Sequence, residues 1–187
     1  AKTCYDTKRK IPLISIDVGG TSTDISRFSG KFDQVLETTT AGITIQSPQL
    51  NINTIAAGGG SRLFYQNGLM RVGPESAGAH PGPVCYKKGG LLTITDANLI
   101  LNRLIPEFFP KIFGSEENES LDPSAALLAF RKLTRNINDE SGQKLTIEQV
   151  AEGFLNVANE SMAGPIRNLT ESKGHLLTSH RLVSFGG

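Results

Sequence analysis

The stretch that decides the fold lies near the N-terminus and reads Asp17-Val18-Gly19-Gly20-Thr21-Ser22-Thr23-Asp24. Residues 13–18 alternate apolar and polar side chains, which is the period of a half-buried strand, and residues 23–28 resume that pattern. The stretch therefore predicts a β-hairpin whose tip carries two glycines and a run of hydroxyl side chains.

The residues alone leave two interpretations of this turn open. Gly19 and Gly20 have no Cβ, so their backbone N–H groups can approach phosphate oxygens, and Thr21 and Thr23 can add hydroxyl donors. Asp17, at the end of the first strand, can hold a hydrated Mg²⁺ beside those phosphates. The plain alternative is a Gly-Thr hairpin in which Asp17 binds its own backbone.

Two common nucleotide-binding signatures are absent from the sequence. It contains no GxxxxGK[ST] loop and no GxGxxG followed by a helix and an acidic residue. Their absence argues against a P-loop or a Rossmann protein. What remains is a nucleotide site in which a β-hairpin, rather than a helix N-terminus, holds the phosphates.

Composition and charge exclude several classes of protein. The chain has 187 residues, 38% hydrophobic and 20% charged, with a net charge of +1, which is typical of a globular chain and not of a disordered or nucleic-acid-binding one. It has no apolar run long enough for a membrane span and no signal peptide pattern. Cys4 and Cys85 form no CxxC and have no His at metal spacing, so we expect a reducing cytosol.

Strand patterns predict a mainly β region over residues 1–94. A third strand over about 31–39 is expected to complete an antiparallel three-stranded meander, followed by a loop around Ser47-Pro48. Further strands are predicted over 53–56, 62–66 and 69–72, with Asn67-Gly68 as a type I′ hairpin turn.

Residues 95–187 are predicted to be mainly helical, with a terminal strand. The helix starts are Thr95 as N-cap of a helix over 96–104, Asp122 with Pro123, and the capping box Thr146-Ile147-Glu148-Gln149. Pro165 is expected to kink the third helix, because proline removes a helical hydrogen bond. The chain is expected to end in a buried strand over 180–185.

Several other residues have a structural and a functional interpretation. Gly58-Gly59-Gly60-Ser61 is either a second phosphate-binding nest or a glycine bulge between strands. His80 lies in a rigid loop where a titratable group could meet substrate, although loop histidines are also ordinary surface residues. Asp96 is either a catalytic carboxylate or a first-turn acid that complements the helix dipole.

The remaining candidates are weaker. Glu75 and Arg62 could bind a substrate carboxylate or each other. We expect Cys85 to be a buried thiol rather than a nucleophile. His175 and His180 do not have the spacing of two metal ligands on one helical face, so we expect them to be structural or exposed.

Five motifs in a fixed order resemble one known family. They are the turn at 17–24, Ala56-Ala57-Gly58-Gly59-Gly60-Ser61, Val72-Gly73-Pro74-Glu75-Ser76-Ala77-Gly78-Ala79-His80-Pro81-Gly82-Pro83-Val84-Cys85-Tyr86, Thr93-Ile94-Thr95-Asp96-Ala97-Asn98-Leu99, and Ser184-Phe185-Gly186-Gly187. Together they resemble the hydantoinase A/oxoprolinase family over essentially the whole chain, and most closely its eukaryotic, ATP-hydrolysing lactamases.

The resemblance implies an α/β fold. The chain would be a ribonuclease H-like half of an actin, sugar-kinase and Hsp70-type ATPase, with a β-hairpin meander followed by helices. It would be the second of two such halves, truncated at both ends, and the missing initiator Met agrees with a segment of a longer protein.

The resemblance also implies roles for individual residues. ATP and Mg²⁺ are the expected cofactors, with K⁺ as a further candidate. Asp17 would hold the metal. Gly19, Gly20, Thr21 and Thr23 would contact phosphates, and Gly186 and Gly187 would lie near the adenosine. Apart from the resemblance, the residues themselves make His80 and Asp96 candidate catalytic residues beside Asp17, and Gly58, Gly59 and Gly60 candidate nucleotide contacts.

The activity implied by the resemblance is ATP-dependent hydrolysis of the lactam 5-oxo-L-proline to L-glutamate in glutathione turnover, by the longer protein and not by this segment alone. The expected partners are the lactam, ATP, the remaining domains and a second copy in a homodimer, without nucleic acid or membrane. The alternatives are an ATP-dependent hydantoinase or carboxylase subunit, or a non-catalytic actin-like module that binds nucleotide.

Overall fold

The computed structural model describes residues 1–40 and 42–186. The chain divides into two compact units, here called unit 1 and unit 2. Unit 1 comprises Ala1–Val18, Thr23–Ile55 and Met162–Gly187, and unit 2 comprises Gly19–Ser22 and Ala56–Ser161. The change from strands to helices near residue 94 therefore does not coincide with the division into units.

The strands in chain order are β1 Leu13–Val18, β2 Thr23–Phe28, β3 Gln34–Thr40, β4 Ile43–Leu50, β5 Ile52–Ile55, β6 Ser61–Gln66, β7 Leu69–Ser76 and β8 Arg181–Gly186. The α-helices are α1 Ile94–Ile100, α2 Pro123–Ser141 and α3 Ile147–Thr170. Within the described residues, no helix combines the length and the hydropathy needed to cross a membrane.

A four-stranded sheet in the order β5-β2-β1-β8 forms the centre of unit 1. β1 pairs antiparallel with β2 and parallel with β8, while β5 pairs antiparallel with β2. Ile14, Ile16 and Ile25 are buried on this sheet and pack with Leu169 near the end of α3. The alternating apolar positions of the first hairpin therefore supply the core of this unit.

The predicted three-stranded meander is wrong in its third strand. β3 pairs with β4 in a separate two-stranded hairpin, and Ser47-Pro48, predicted as a loop, lies within β4. β5 takes the place beside β2, and Thr54 donates a hydrogen bond to Asp24 across that pair at 2.6 Å. Alternation identifies a strand but not its partner, because the partner is chosen by contacts distant in sequence.

The predicted burial of the last strand is also wrong. β8 is an edge strand, and Leu182 and Phe185 remain 63% and 49% exposed. The apolar residues of this run suggest a strand covered on both faces. The sequence does not show which elements pack on the strand, so its burial cannot be predicted from the run alone.

Local signals in unit 2 are mostly confirmed. Asn67 and Gly68 both have positive φ, 54° and 76°, as a type I′ turn between β6 and β7 requires. Asp122 caps α2 by accepting a hydrogen bond from the Ala125 N–H, with Pro123 in the first turn.

The boundary of α1 differs from the prediction. The N-cap is Thr93 rather than Thr95, because Thr93 and Asp96 form a capping box. The capping box before α3 is present as predicted, with Thr146 and Gln149 bonded to each other's backbone N–H. Pro165 lies inside α3, which continues to Thr170.

Candidate functional site

The tip of the first hairpin belongs to unit 2 and is held by backbone hydrogen bonds within that unit. The Gly19 N–H donates to the Ser22 carbonyl at 2.9 Å, which closes the turn. The Gly19 and Gly20 carbonyls accept from the Gly59 and Gly60 N–H groups at 3.0 and 2.6 Å. Within residues 1–40 and 42–186, no hydrogen bond is found for the N–H of Gly20 or Thr21, so both donors are available to a ligand.

Gly20 has a property that protein packing does not explain. A Cβ at this exposed residue would meet no atom within 4 Å, and its φ lies outside the left-handed region. At Gly58, by contrast, a Cβ would overlap the Gly19 carbonyl oxygen and lie 2.8 Å from the Gly20 carbonyl. The lack of a side chain at Gly20 therefore leaves open space beside two backbone donors, which fits the approach of a phosphate group.

Gly58, Gly59 and Gly60 do not form the predicted phosphate-binding nest. The Gly58 N–H donates to Ser61 Oγ at 2.9 Å, and the other two N–H groups are bound to the turn carbonyls. All three donors are thus used inside the protein. The glycines instead allow two backbone segments to approach closely, which fixes the turn of residues 19–22.

Asp17 lies in unit 1, directly opposite Asp24 in the antiparallel register of β1 and β2. Directly opposed residues project on the same face of a sheet, and two like charges there are unfavourable unless a cation lies between them. Among the described residues no cluster of three or more His, Cys, Asp or Glu could hold a metal. A carboxylate oxygen is the kind of ligand that Mg²⁺ takes in proteins, so the chemistry of Asp17 suits that ion.

Thr23, predicted to contact a phosphate, is fully buried in unit 1. Its hydroxyl lies 3.8 Å from Met162 Sδ. A buried hydroxyl beside a thioether has no surface to offer a nucleotide, so this predicted contact is wrong in the conformation described. β-strand alternation explains the difference, because Thr23 and Ile25 share the core face while Asp24 is exposed.

Gly186 at the end of β8 has φ +92°, and a Cβ there would lie 2.5 Å from Asp17 Oδ1. The glycine is therefore required for the end of β8 to pack against Asp17. Its predicted nearness to adenosine is not tested by this contact, and Gly187 lies outside the described residues.

Asp96 has a structural role that accounts for its position. Its buried carboxylate accepts from the N–H groups of Val84, Cys85 and Thr93 at 3.2, 2.8 and 2.9 Å, and from the Thr93 hydroxyl at 3.1 Å. Burial raises the pKa of Asp96, although these donors act in the opposite direction. Asp96 has no exposed surface, and its carboxylate is bound by four donors. The structure therefore contradicts the prediction that Asp96 is catalytic.

Cys85 is a buried thiol, as predicted. Burial is the main cause that raises its pKa far above the usual range, and the nearby Asp96 carboxylate adds to the shift. A buried thiol held in its neutral form is a poor nucleophile, which agrees with the expected structural role of Cys85.

The other predicted residues are placed as follows. Arg62 and Glu75 bind each other at 2.6 Å, which selects one of the two alternatives. His80 is exposed in unit 2. His180 Nε2 accepts from Arg27 Nε at 2.9 Å, in agreement with a structural role.

Ser76 lies within the motif of residues 72–86, but the sequence predicts no individual role for it. Its Oγ lies 3.5 Å from Thr21 Oγ1 in unit 2. A single serine at a strand end carries no sequence signal of its own, and its nearness to the turn depends on the pairing of β6 with β7.

Comparisons with known proteins extend over the whole chain. The profile of the Hydantoinase/oxoprolinase family matches residues 1–187. A 5-oxoprolinase of Saccharomyces cerevisiae is 62% identical over 188 residues, which are 100% of this chain and 15% of the yeast protein. This chain thus spans about one-seventh of the length of that relative.

Two solved structures share the fold. The ATP-dependent caprolactamase from Pseudomonas jessenii is 33% identical with a TM-score of 0.82, covering 100% of this chain and 26% of the other. An acetone carboxylase in a nucleotide-free structure is 25% identical with a TM-score of 0.78, covering 99% and 25%. The predicted α/β, actin-like ATPase fold class is thereby confirmed. The chain belongs to the hydantoinase/oxoprolinase family.

Proposed function

We propose that the full-length protein hydrolyses 5-oxo-L-proline to L-glutamate with concomitant hydrolysis of ATP. The observation that carries the proposal is the 62% identity, over all of this chain, to a protein named 5-oxoprolinase. The ATP-dependent caprolactamase and the acetone carboxylase are much less similar, at 33% and 25%. Because the chain spans only 15% of the yeast relative, the activity is that of the whole protein.

The turn of residues 19–22 supplies the nucleotide contacts in this proposal. The Gly20 and Thr21 N–H groups and the exposed Thr21 hydroxyl would hold phosphate oxygens, as their available donors indicate. Gly59 and Gly60 keep the turn in place by donating to its carbonyls, so their N–H groups are not available to phosphate oxygens. Bound ATP would supply the phosphoryl group that activates an otherwise stable lactam.

Asp17 would hold Mg²⁺, with the opposed Asp24 as a further carboxylate on the same strand pair. The role of Asp24 is restricted by its bond from the Thr54 hydroxyl at 2.6 Å, which uses one carboxylate oxygen. Asp17 is thus the better placed ligand. We place K⁺ with Mg²⁺ as a further candidate cation, without a residue assigned to it.

Compartment, pathway and assembly complete the proposal. Both cysteines of the chain are free thiols, which agrees with a reducing cytosol. We further propose that the protein acts in glutathione turnover and forms a homodimer, and that this chain is the second ribonuclease H-like half of the ATPase. His80 is kept as a candidate that touches substrate, because its side chain is exposed.

The experiment is ATP hydrolysis by the full-length protein with and without 5-oxo-L-proline, with glutamate measured in the same tube. Asp17→Asn should abolish both products, and the exposed Asp139→Asn on α2 is the matched control that should leave them unchanged. Glutamate formed in proportion to ATP consumed supports the proposal.

Other outcomes select the alternatives. ATP hydrolysis stimulated by a hydantoin or by acetone with bicarbonate, and not by 5-oxo-L-proline, indicates a hydantoinase or a carboxylase. Nucleotide binding without turnover of any of these substrates indicates a non-catalytic module.

A further inference from the structure

Ser76 is the last residue of β7, and its side chain is half-buried next to the turn of residues 19–22 in unit 2. Its Oγ and Thr21 Oγ1 are 3.5 Å apart. An O–H···O bond normally spans about 2.5–3.0 Å, so the two hydroxyls do not satisfy each other well. A third oxygen atom can bridge two hydroxyls at this separation.

The Ser76 hydroxyl is oriented by its own backbone. The Gly78 N–H donates to Ser76 Oγ at 3.1 Å, which occupies one of the two lone pairs. The Ser76 hydroxyl proton is not used in that bond, and Thr21 lies at the limit of its reach. Ser76 is thus placed as a donor toward the turn.

Ser76 lies close to Gly60, which also adjoins the turn. A Cβ on Gly60 would lie 3.0 Å from Ser76 Oγ and 2.9 Å from the Gly20 carbonyl oxygen. The Ala77 N–H, next to Ser76, donates to the Gly60 carbonyl at 2.8 Å. The same glycine therefore fixes both the turn and the serine, and the two are held as one backbone assembly.

The ligand that matches this group is an oxyanion. The groups available in this turn and beside it are donors, namely the N–H groups of Gly20 and Thr21, unbonded among the described residues, and the neighbouring hydroxyls of Thr21 and Ser76. The adjacent carboxylate of Glu75 is engaged with Arg62 at 2.6 Å. A cation would find no negative group among these four donors, whereas a phosphate oxygen accepts from them.

We propose that Ser76 is a further phosphate-binding residue, which donates its hydroxyl to the same phosphoryl group as the Gly20–Thr21 turn. The inference rests on the proposed function, because it takes ATP as the ligand. It adds a contact from the strand end that leads into the His80 loop, so a bound phosphate would connect this loop to the turn.

The test compares binding of ATP and of adenosine to the full-length protein by calorimetry. Ser76→Ala should weaken ATP binding by about ten- to a hundredfold, the effect of losing a hydrogen bond to a charged group, and leave adenosine binding unchanged. Ser76→Cys keeps the volume but has only a weak donor, and should weaken ATP binding in the same way. Ser115→Ala, at an exposed position of unit 2, is the matched control.

Thr21→Val completes a double-mutant cycle with Ser76→Ala. If both hydroxyls hold one phosphoryl group, the two losses are not additive. Unchanged ATP affinity in both Ser76 variants overturns the inference, and so does an equal loss of ATP and adenosine binding, which marks a structural role. If the wild-type protein binds no ATP, the proposed function itself fails, and the Ser76 inference fails with it.

Discussion

Two glycine-to-alanine substitutions separate packing from ligand binding at the turn. At Gly58, a Cβ would overlap the Gly19 carbonyl oxygen and come within 2.8 Å of two Gly20 backbone atoms. Backbone atoms cannot move aside as a flexible side chain does. At Gly20, a Cβ would meet nothing within 4 Å.

The magnitudes follow from these contacts. For Gly58→Ala, overpacking costs about 1–3 kcal/mol, and weakening the bonds from Gly59 and Gly60 to the turn adds about 1 kcal/mol or more. We expect a loss of about 2–4 kcal/mol in the free energy of unfolding of the part of the protein that contains the turn, which lowers its Tm. For Gly20→Ala, the Tm should stay the same or rise slightly, because alanine restricts the unfolded chain.

ATP binding should respond in the opposite way, because the substitution that leaves stability unchanged, Gly20→Ala, is the one that directly affects the ligand. The added methyl group of Gly20→Ala occupies the open space beside the backbone donors, so ATP affinity should fall by about tenfold or more while the fold is kept. Thermal unfolding monitored by circular dichroism and calorimetric titration with ATP measure the two effects. The reasoning is refuted if Gly20→Ala binds ATP like the wild type, or if Gly58→Ala melts at the wild-type temperature.

Three further outcomes are expected. Because the pKa of Asp96 is raised by burial, the stability it contributes is fully present below the unfolded pKa near 3.8 and is lost as the pH rises through the folded pKa. Asp96→Asn should therefore remove this part of the pH dependence and cost about 2–4 kcal/mol in urea unfolding, whereas parallel pH profiles for both proteins would contradict the assignment. Iodoacetamide at pH 8 should label exposed Cys4 and leave buried Cys85 unmodified until urea is added, as mass spectrometry would detect; labelling of Cys85 in the native protein would show that the thiol is accessible. Gly68→Ala places a side chain at φ +76° and should cost about 1–2 kcal/mol in urea unfolding, so an unchanged midpoint would speak against the type I′ turn.

The structure gives the glycines of two motifs roles that differ from the predicted ones. Gly58, Gly59 and Gly60 stand beside the turn of residues 19–22, and their N–H groups are bound to Ser61 Oγ and to the turn carbonyls. A Cβ on Gly58 or Gly60 would meet the turn backbone and one on Gly59 would meet the Thr95 side chain, whereas among the glycines of these two motifs only Gly20 would place a Cβ where no atom lies within 4 Å. A substitution scan that scored all of them as nucleotide ligands would confuse loss of folding with loss of binding.

Local features were determined by the sequence itself. Asn67-Gly68, Asp122 with Pro123, and the capping box from Thr146 to Gln149 were predicted and are present. Each of them closes hydrogen bonds or sets φ within about four residues, so its energy does not depend on the rest of the chain. The five ordered motifs likewise identified the family, because their order and residue types are properties of the sequence.

Only the tertiary structure decided which partner each group meets. It placed β5 rather than β3 beside β2, turned Thr23 into the core, gave the carboxylate of Asp96 to three backbone N–H groups, and brought Ser76 to Thr21 across 55 residues of chain. The donors and acceptors of these contacts lie far apart in sequence, and their pairing depends on strand order and burial, which no local pattern encodes. The same residue types could therefore have served as ligands or as supports, and the fold determined which of them remain available to bind.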